Sequence, residues 1–161
     1  MPAEPREYLI LRNLQQALLA IAVASGYHYD VKALAVKLDP NHNVEDLIAP
    51  EGPRPFVILE LRAERWVYYP ANVMNLVLPW TIHWVHDSDP TIDEDRVRMF
   101  FRGCADVEAA IVPDTGRGGL AIDTRIVNRE LQKNGPDDGS QVWAAIDLEI
   151  KLERTYGQPN G

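Results

Sequence analysis

Three charged residues near the end of the chain have the types and the spacing to do chemistry. Asp147, Glu149 and Lys151 alternate with apolar residues, so on a β-strand their side chains share one face. Two carboxylates on one face can bind Mg²⁺, and a lysine beside them can position an attacking water. A further carboxylate would be needed, and Asp123 on a paired strand could supply it.

The same triplet also has a simpler interpretation. In "VWAAIDLEIKLERTYGQP" every second residue from Val142 to Leu152 is apolar, and the charged residues occupy the positions between them. An acidic residue two positions before a lysine is common on any solvated strand face. The sequence therefore favours a strand with one buried and one charged face. The alternative is a Mg²⁺-dependent nuclease that uses Asp123, Asp147, Glu149 and Lys151.

The other reactive side chains do not predict an active site. His83 and His86 are three positions apart on a predicted strand, so they point to opposite faces and do not form a ligand pair. Cys104, the only cysteine, lies on the apolar stripe of a predicted helix and is expected to pack in the core. Apart from the nuclease alternative, the sequence therefore predicts no catalytic, metal or cofactor site.

Composition narrows the class of protein. The chain has 161 residues, 46% of them hydrophobic, and a formal net charge of −8. This length predicts one domain over residues 1–161. The negative charge argues against a broad surface that grips nucleic acid, which would require a basic stripe. The first residues predict no signal peptide, and no apolar run approaches the roughly 18 residues needed to span a bilayer.

Apolar periodicity predicts two main helices. Residues 6–25 carry apolar side chains at spacings of three and four, and Ser25-Gly26 suits the end of that helix. The second helix is expected to begin at the capping-box pair Thr91 and Glu94 and to end before Pro113. Its expected buried face comprises Val97, Phe100, Phe101, Cys104, Val107 and Ile111.

Alternating residues and turn signals predict the strands. Expected strands cover 27–38, 56–62, 66–69, 76–86, 120–131 and 142–152. The second and third of these could also form one bent strand, and Pro79 indicates that 76–86 is broken or at an edge. Residues 39–55 are expected to form a loop with one helical turn at 44–48 behind an Asn43 cap.

These elements predict an α+β fold with a largely antiparallel sheet and two main helices packed on one face. The last two strands form a long C-terminal β-hairpin across the turn 133–140, and residues 154–161 form a C-terminal arm. The helices can bury only one side of the hairpin. Its charged side is therefore expected to face water or a partner through Asp147, Glu149, Lys151 and Glu153.

Aromatic residues are concentrated between positions 66 and 84, within a segment that also contains Pro70 and Pro79. Large aromatic side chains commonly form core, but irregular segments that expose them are suited to assembly. Both interpretations remain open at this point. The predicted assembly interface comprises Trp66, Tyr68, Tyr69, Trp80 and Trp84.

Four stretches together carry a resemblance that covers most of the chain. They are "ILRNLQQALLAIAVASGY", "PFVILELRAERWVYYP", "DEDRVRMFFRGCADVEAAI" and the closing "LAIDTRIVNRELQ…VWAAIDLEIKLERTYGQP". In order and texture the chain resembles the tail terminator and tail completion (neck) proteins of long-tailed bacteriophages, the lambda-type tail terminator group.

The resemblance implies a virion structural protein that is not an enzyme. It would be assembled in the host cytoplasm, with no cofactor and no membrane. Such proteins form a ring, usually a hexamer, at the head-proximal end of the tail tube. The ring stops polymerisation of the tail tube protein and joins the tail to a head completion, connector or neck protein. DNA passes through its acidic lumen without specific binding.

On this resemblance, Asp147, Glu149 and Glu153 would face the channel or the next subunit, and Lys151 would pair with an acidic residue of a neighbour. Two alternatives to the terminator remain besides the nuclease. They are a head-proximal neck or head-completion protein and a host-side protein-binding domain.

Overall fold

The structure, a computed structural model, describes residues 3–38, 41, 43–48, 52–68, 73–89, 91–132 and 140–155. Within these residues the elements are α1 (Arg6–Leu19), β1 (Ala33–Lys37), β2 (Phe56–Leu61), β3 (Arg65–Tyr68), β4 (Val73–Asp87), α2 (Asp93–Ile111), β5 (Asp123–Leu131) and β6 (Gln141–Thr155). Short 3-10 helices lie at Val23–Ser25, Val44–Leu47 and Val112–Asp114. The predicted α+β class is confirmed.

The strands form one mixed sheet in the order β1-β2-β4-β6-β5, with β3 paired to β4 beside β2. Only β1 and β2 run parallel, so the sheet is largely antiparallel as predicted. The C-terminal hairpin places Asp123 opposite Lys151, and a β-bulge lies between Ile126 and Asn128. Strand β6 therefore lies inside the sheet, between β4 and β5.

Pro79 does not break or displace its strand, so the expectation of a broken or edge strand is wrong. Strand β4 runs unbroken for 15 residues through the sheet. On one side, residues 74–77 of β4 pair with β3 and residues 80–85 pair with β2. Pro79 therefore lies in the gap between those two strands. The Pro79 carbonyl accepts the Arg62 N–H (2.8 Å) in that gap. Since the N–H and C=O of a residue in an antiparallel strand point to the same side, the missing proline N–H removes no bond to β6.

Helix α1 ends at Leu19, six residues before the predicted end. Ala22 is extended, and the Val23 N–H donates to Asp30 Oδ1 (2.7 Å) instead of continuing the helical ladder. The predicted strand 27–38 is likewise reduced to Ala33–Lys37. The N–H groups of His28 and Tyr29 donate to the buried Asp106 carboxylate (2.9 and 3.0 Å), which ties this segment to α2.

Helix α2 differs from its prediction at the start and on its exposed side. It begins at Asp93, and Thr91 donates its N–H and its hydroxyl to Asp89 (2.9 and 2.6 Å), so the capping box with Glu94 is wrong. Val97 and Phe101, predicted to be buried, are 48% and 56% exposed. The face that packs on the sheet comprises Met99, Gly103, Cys104, Val107 and Ile111.

The two helices bury one face of the sheet, which is called the inner face here. All six apolar residues predicted to be buried on β6 are buried there: Val142, Ala144, Ile146, Leu148, Ile150 and Leu152. The opposite, outer face is partly covered at one end. There the 3-10 helix Val44–Leu47, predicted as a helical turn behind Asn43, packs Val44 on Ile58, Val85 and Trp143. This cover buries Trp143 and Ala145, whereas the charged part of β6 from Asp147 to Glu153, which was expected to face water or a partner, is left half-buried or exposed.

Candidate functional site on the outer face of the sheet

The four predicted channel-facing or intersubunit residues lie together on the outer face. Asp147, Glu149 and Lys151 are half-buried, and Glu153 is exposed. They follow one another along β6 because side chains alternate between the two faces of a strand. The structure thus brings these four residues to the surface that was predicted to meet water or a partner.

Several charges of this face are paired, either across strands or within one strand. Arg65 on β3 binds Glu149 on β6 (2.7 Å), and Arg125 binds Asp123 within β5 (2.6 Å). Asp147 accepts hydrogen bonds from Thr81 Oγ1 (2.7 Å) and Asn128 Nδ2 (3.3 Å). The outer face is therefore a surface of alternating and compensated charge.

The four residues of the nuclease alternative are divided between two concavities. Asp123, Glu149 and Lys151 line a groove of about 120 Å³. Asp147 lines a separate, larger concavity. Both carboxylates in the groove bind arginines, which occupy the positions where a divalent cation would compensate their charge. Among the residues that the structure describes, no three His, Cys, Asp or Glu side chains converge as possible metal ligands.

A buried polar network that the sequence analysis missed lies beside Asp147. Glu60 Oε2 and His83 Nε2 are 2.7 Å apart, and Trp143 Nε1 donates to His83 Nδ1 (3.0 Å). Lys37 Nζ donates to Glu60 Oε1 (3.1 Å), and Arg62 contacts the same oxygen (3.2 Å). The side chains of Glu60 and His83 are each only 9% exposed.

The protonation state of this network follows from its donors. An indole N–H can only donate, so His83 Nδ1 accepts and the ring proton lies on Nε2, which donates to Glu60. Burial lowers the pKa of His83, and the hydrogen bond and charge of Glu60 oppose this only in part. Burial acts to raise the pKa of Glu60, but hydrogen bonds from His83 and Lys37 outweigh it and hold that pKa below its usual value. The pair is therefore a neutral imidazole on an ionised carboxylate.

The network shapes a surface concavity of about 340 Å³ on the outer face. Both ring nitrogens of His83 are engaged inside the protein, so neither is free to take a proton from a bound molecule. Lys37 and Arg62 are held by the same Glu60 oxygen. The arrangement is suited to fixing the shape and charge of a contact surface.

The predicted aromatic interface divides into core and surface. Trp80 (3% exposed) and Trp84 (0%) are buried under the helices, so assigning them to an assembly surface is wrong. They are buried because the inner face of β4 lies under α1 and α2. Trp66 on β3 is 41% exposed and remains available for contact. Tyr68 is described only in its backbone, and Tyr69 lies outside the described residues.

The remaining candidate ligands are placed as the sequence predicted. His83 lies on the outer face, whereas His86 packs beside Trp84 and Tyr29 on the inner face. Cys104 is fully buried, and burial raises the pKa of its thiol to about 11. The structure therefore places neither a histidine ligand pair nor an accessible thiol among these residues.

Neither a protein-family model nor a curated protein matches the chain. The search for a membrane-spanning helix among the described residues finds none with sufficient length and apolar character. A functional proposal therefore rests on the outer face and on the resemblance seen in the sequence.

Acidification is expected to destabilise the fold between pH 6.5 and the lower pKa values of the buried histidines. Burial lowers the pKa of both His83 and His86, so the unfolded chain binds protons that the folded chain excludes. The corresponding stability is fully present above pH 6.5 and is lost as the pH falls toward the folded pKa values. Each histidine can contribute a slope of up to about 1.4 kcal/mol per pH unit.

Urea unfolding at pH 7.5, 6.5 and 5.5 measures this slope. The variant His83→Gln, which keeps a donor for Glu60, should show a shallower slope than the wild type. Equal slopes for the two proteins would contradict a neutral, buried His83.

Proposed function

We propose that this chain is a ring-forming tail terminator of a long-tailed bacteriophage. In this role it caps the head-proximal end of the tail tube, stops its polymerisation and joins the tail to the head or neck. The observation that carries the proposal is the outer face of the sheet, an open surface of fixed, paired charges on a long hairpin. The resemblance of the chain to tail terminators supports the same role.

Charge pairing favours a protein partner on the outer face. Arg65 compensates Glu149, and Arg125 compensates Asp123, so this face presents little net charge to a polyanion. A surface that held DNA would need uncompensated cations, because phosphate binding depends on them. Glu149 and Lys151 were predicted to face either the channel or the next subunit. The paired charges favour the next subunit or a tail component over the channel.

The overall charge fits a protein that lets DNA pass. A net charge of −8 repels phosphates, so a ring of several copies would let the genome slide without specific binding. The proposed ring is a homo-oligomer, a hexamer as is usual for the tail terminators that the chain resembles. It contacts the tail tube protein on one side and a connector or neck protein on the other.

Three measurements test this function. Light scattering of the purified chain should give the mass of a closed oligomer, and negative-stain images should show rings. Added to polymerising tail tube protein, the chain should stop elongation and appear at one end of the tube. A chain that stays monomeric at assembly concentrations and leaves tube length unchanged would contradict the proposal.

A charge reversal on the outer face tests the observation that carries the proposal. Glu149→Arg places a second cation beside Arg65 and should weaken ring formation or tube capping at least tenfold. Glu4→Arg changes net charge equally at an exposed position outside the sheet and should behave as wild type. Binding to the capsid connector but not to the tube would instead identify a head-completion protein.

A further inference from the structure

The two helices leave two apolar surfaces uncovered. The first, called the Phe101 ridge, is formed on α2 by Val97, Phe101 and Ala105, which follow one another at helical spacing of four. Val97 and Phe101 are 48% and 56% exposed, which is unusual for large apolar residues on the same helix side. A contiguous exposed apolar surface of this kind commonly marks a contact site.

The second surface is a small apolar hollow, called the α1 notch. It has a volume of about 140 Å³ and lies between the start of α1 and the strands β2 and β4. Its apolar lining consists of Tyr8, Leu11, Leu38, Leu61, Leu78 and Trp80. Tyr8 and Leu38 are 45% and 61% exposed, so the notch is accessible to a side chain of another molecule.

The ridge and the notch lie on opposite flanks of the molecule. Helix α2 packs on β6 and β5, at one end of the strand order, whereas the notch is lined from α1, β2 and the residue that follows β1. Two different surfaces on opposite flanks are what a head-to-tail contact between identical copies requires. A rotation repeated through such a contact closes a ring.

Charge and size both match the ridge to the notch. Exposed Arg102 follows Phe101 in the sequence, whereas exposed Glu64 lies at the notch. Arg98 is already ion-paired with Asp95 on the same helix. An apolar cavity of about 150 Å³ accommodates benzene, so a hollow of about 140 Å³ fits one phenyl ring. Opposite charges at the rim of an apolar centre are typical of specific interfaces.

We propose that Phe101 of one copy inserts into the α1 notch of the next copy, with Arg102 beside the ridge facing Glu64 at the notch. This inference rests on the proposed homo-oligomeric ring and names the surfaces that close it. It also leaves the outer face of the sheet free for tail components. The contact is heterologous, so each copy uses its ridge and its notch with different neighbours.

Mass measurements on two single variants and their mixture test this contact. Phe101→Glu should disable the ridge, and Leu38→Glu should disable the notch, so each protein alone should be monomeric by light scattering. Both sites are exposed, which limits damage to the fold, and circular dichroism checks this. An equal mixture should form heterodimers and no ring, because only one intact ridge and one intact notch can meet.

Two further variants complete the design. Phe101→Ala removes the phenyl group without adding charge. It should raise the dissociation constant of the contact about 30-fold or more, as for a central anchor residue. Val23→Glu introduces the same charge at a position that is also 56% exposed but belongs to neither surface, and it should assemble as wild type.

The outcomes separate this contact from the function. If the wild type forms rings and Phe101→Glu or Leu38→Glu forms them too, the proposed contact is overturned. The terminator proposal is unaffected by that result. A mixture that stays monomeric would overturn the head-to-tail arrangement. A wild-type chain that is monomeric and fails to cap tail tubes would overturn both.

Discussion

Replacing Gly103 with alanine is expected to lower the free energy of unfolding by about 2 kcal/mol. A Cβ at position 103 would lie 2.7 Å from two ring atoms of Trp84 and 2.8 Å from a third, closer than packed carbon atoms approach. Trp84 is fully buried beneath α2, so its ring cannot move aside without displacing the helix. Three contacts below 3.0 Å place this overpacking at the upper end of the usual cost of about 1–3 kcal/mol. Alanine recovers about 1 kcal/mol through its helix propensity, which leaves a net loss of about 2 kcal/mol.

Urea unfolding of Gly103→Ala measures this loss, with Gly116→Ala as the matched control. A Cβ at Gly116 would meet its nearest neighbour at 3.6 Å, an ordinary contact, so this variant should be neutral or slightly more stable. Combining Gly103→Ala with Trp84→Phe should cost less than the sum of the two single changes, because the smaller ring relieves the clash. A Gly103→Ala protein as stable as the wild type would contradict the close packing of α2 on β4.

Replacing Glu60 with alanine is expected to cost about 3 kcal/mol, because it removes the acceptor shared by the buried network. The Lys37 side chain is only 11% exposed and donates to Glu60, and the Nε2–H of His83 donates to the same carboxylate. Without that carboxylate, a buried cation and a buried N–H lose their partner. Leaving such groups unpaired costs more than the pair itself contributes.

The exposed pair between Lys32 and Asp30 provides the control for this prediction. Their side chains are 53% and 43% exposed, so Lys32→Ala should change stability by no more than about 0.5 kcal/mol. Both variants can be compared by thermal and urea unfolding at pH 7.5. A loss below about 1 kcal/mol for Glu60→Ala would mean that the network is not buried.

Sequence periodicity predicted the sheet well where one face is buried. The alternation from Val142 to Leu152 gave the strand, its pairing partner and its buried side correctly. Pro79 misled because a proline has no N–H to donate to a neighbouring strand and is therefore usually confined to an edge strand. Here the position of the missing N–H faces the gap between β2 and β3, where no strand needs it. That gap depends on where β2 ends and β3 begins, which local sequence does not determine.

The errors on α2 have a different origin. The apolar positions of that helix cover more of its circumference than the sheet can bury, so a periodic pattern cannot tell which of them are left outside. Val97 and Phe101 remain exposed because Gly103 and Cys104 bring the neighbouring side of the helix against β4 and β6. The capping-box pattern failed since Asp89 competes successfully for both donors of Thr91.

The outer face was predicted only in part. Its β6 residues follow from alternation, but the network beside them joins Lys37, Glu60, His83 and Trp143, which are distant in the sequence. One signal was available: Glu60 interrupts the apolar strand "FVILEL", and a charged residue at such a position requires a buried partner. Its partners depend on strand order and register, which a single sequence does not provide.

The position of β6 inside the sheet has a consequence for how the chain folds during synthesis. Residues 141–155 leave the ribosome after the other strands of the sheet, yet they separate β4 from β5 and supply much of the buried inner face. Until they emerge, one edge of the 15-residue strand β4 has no partner, and its apolar side chains lack half of their packing. The sheet therefore closes only after β6 has left the ribosome, so a chain that lacks β6 cannot bring the completed sheet to an assembly.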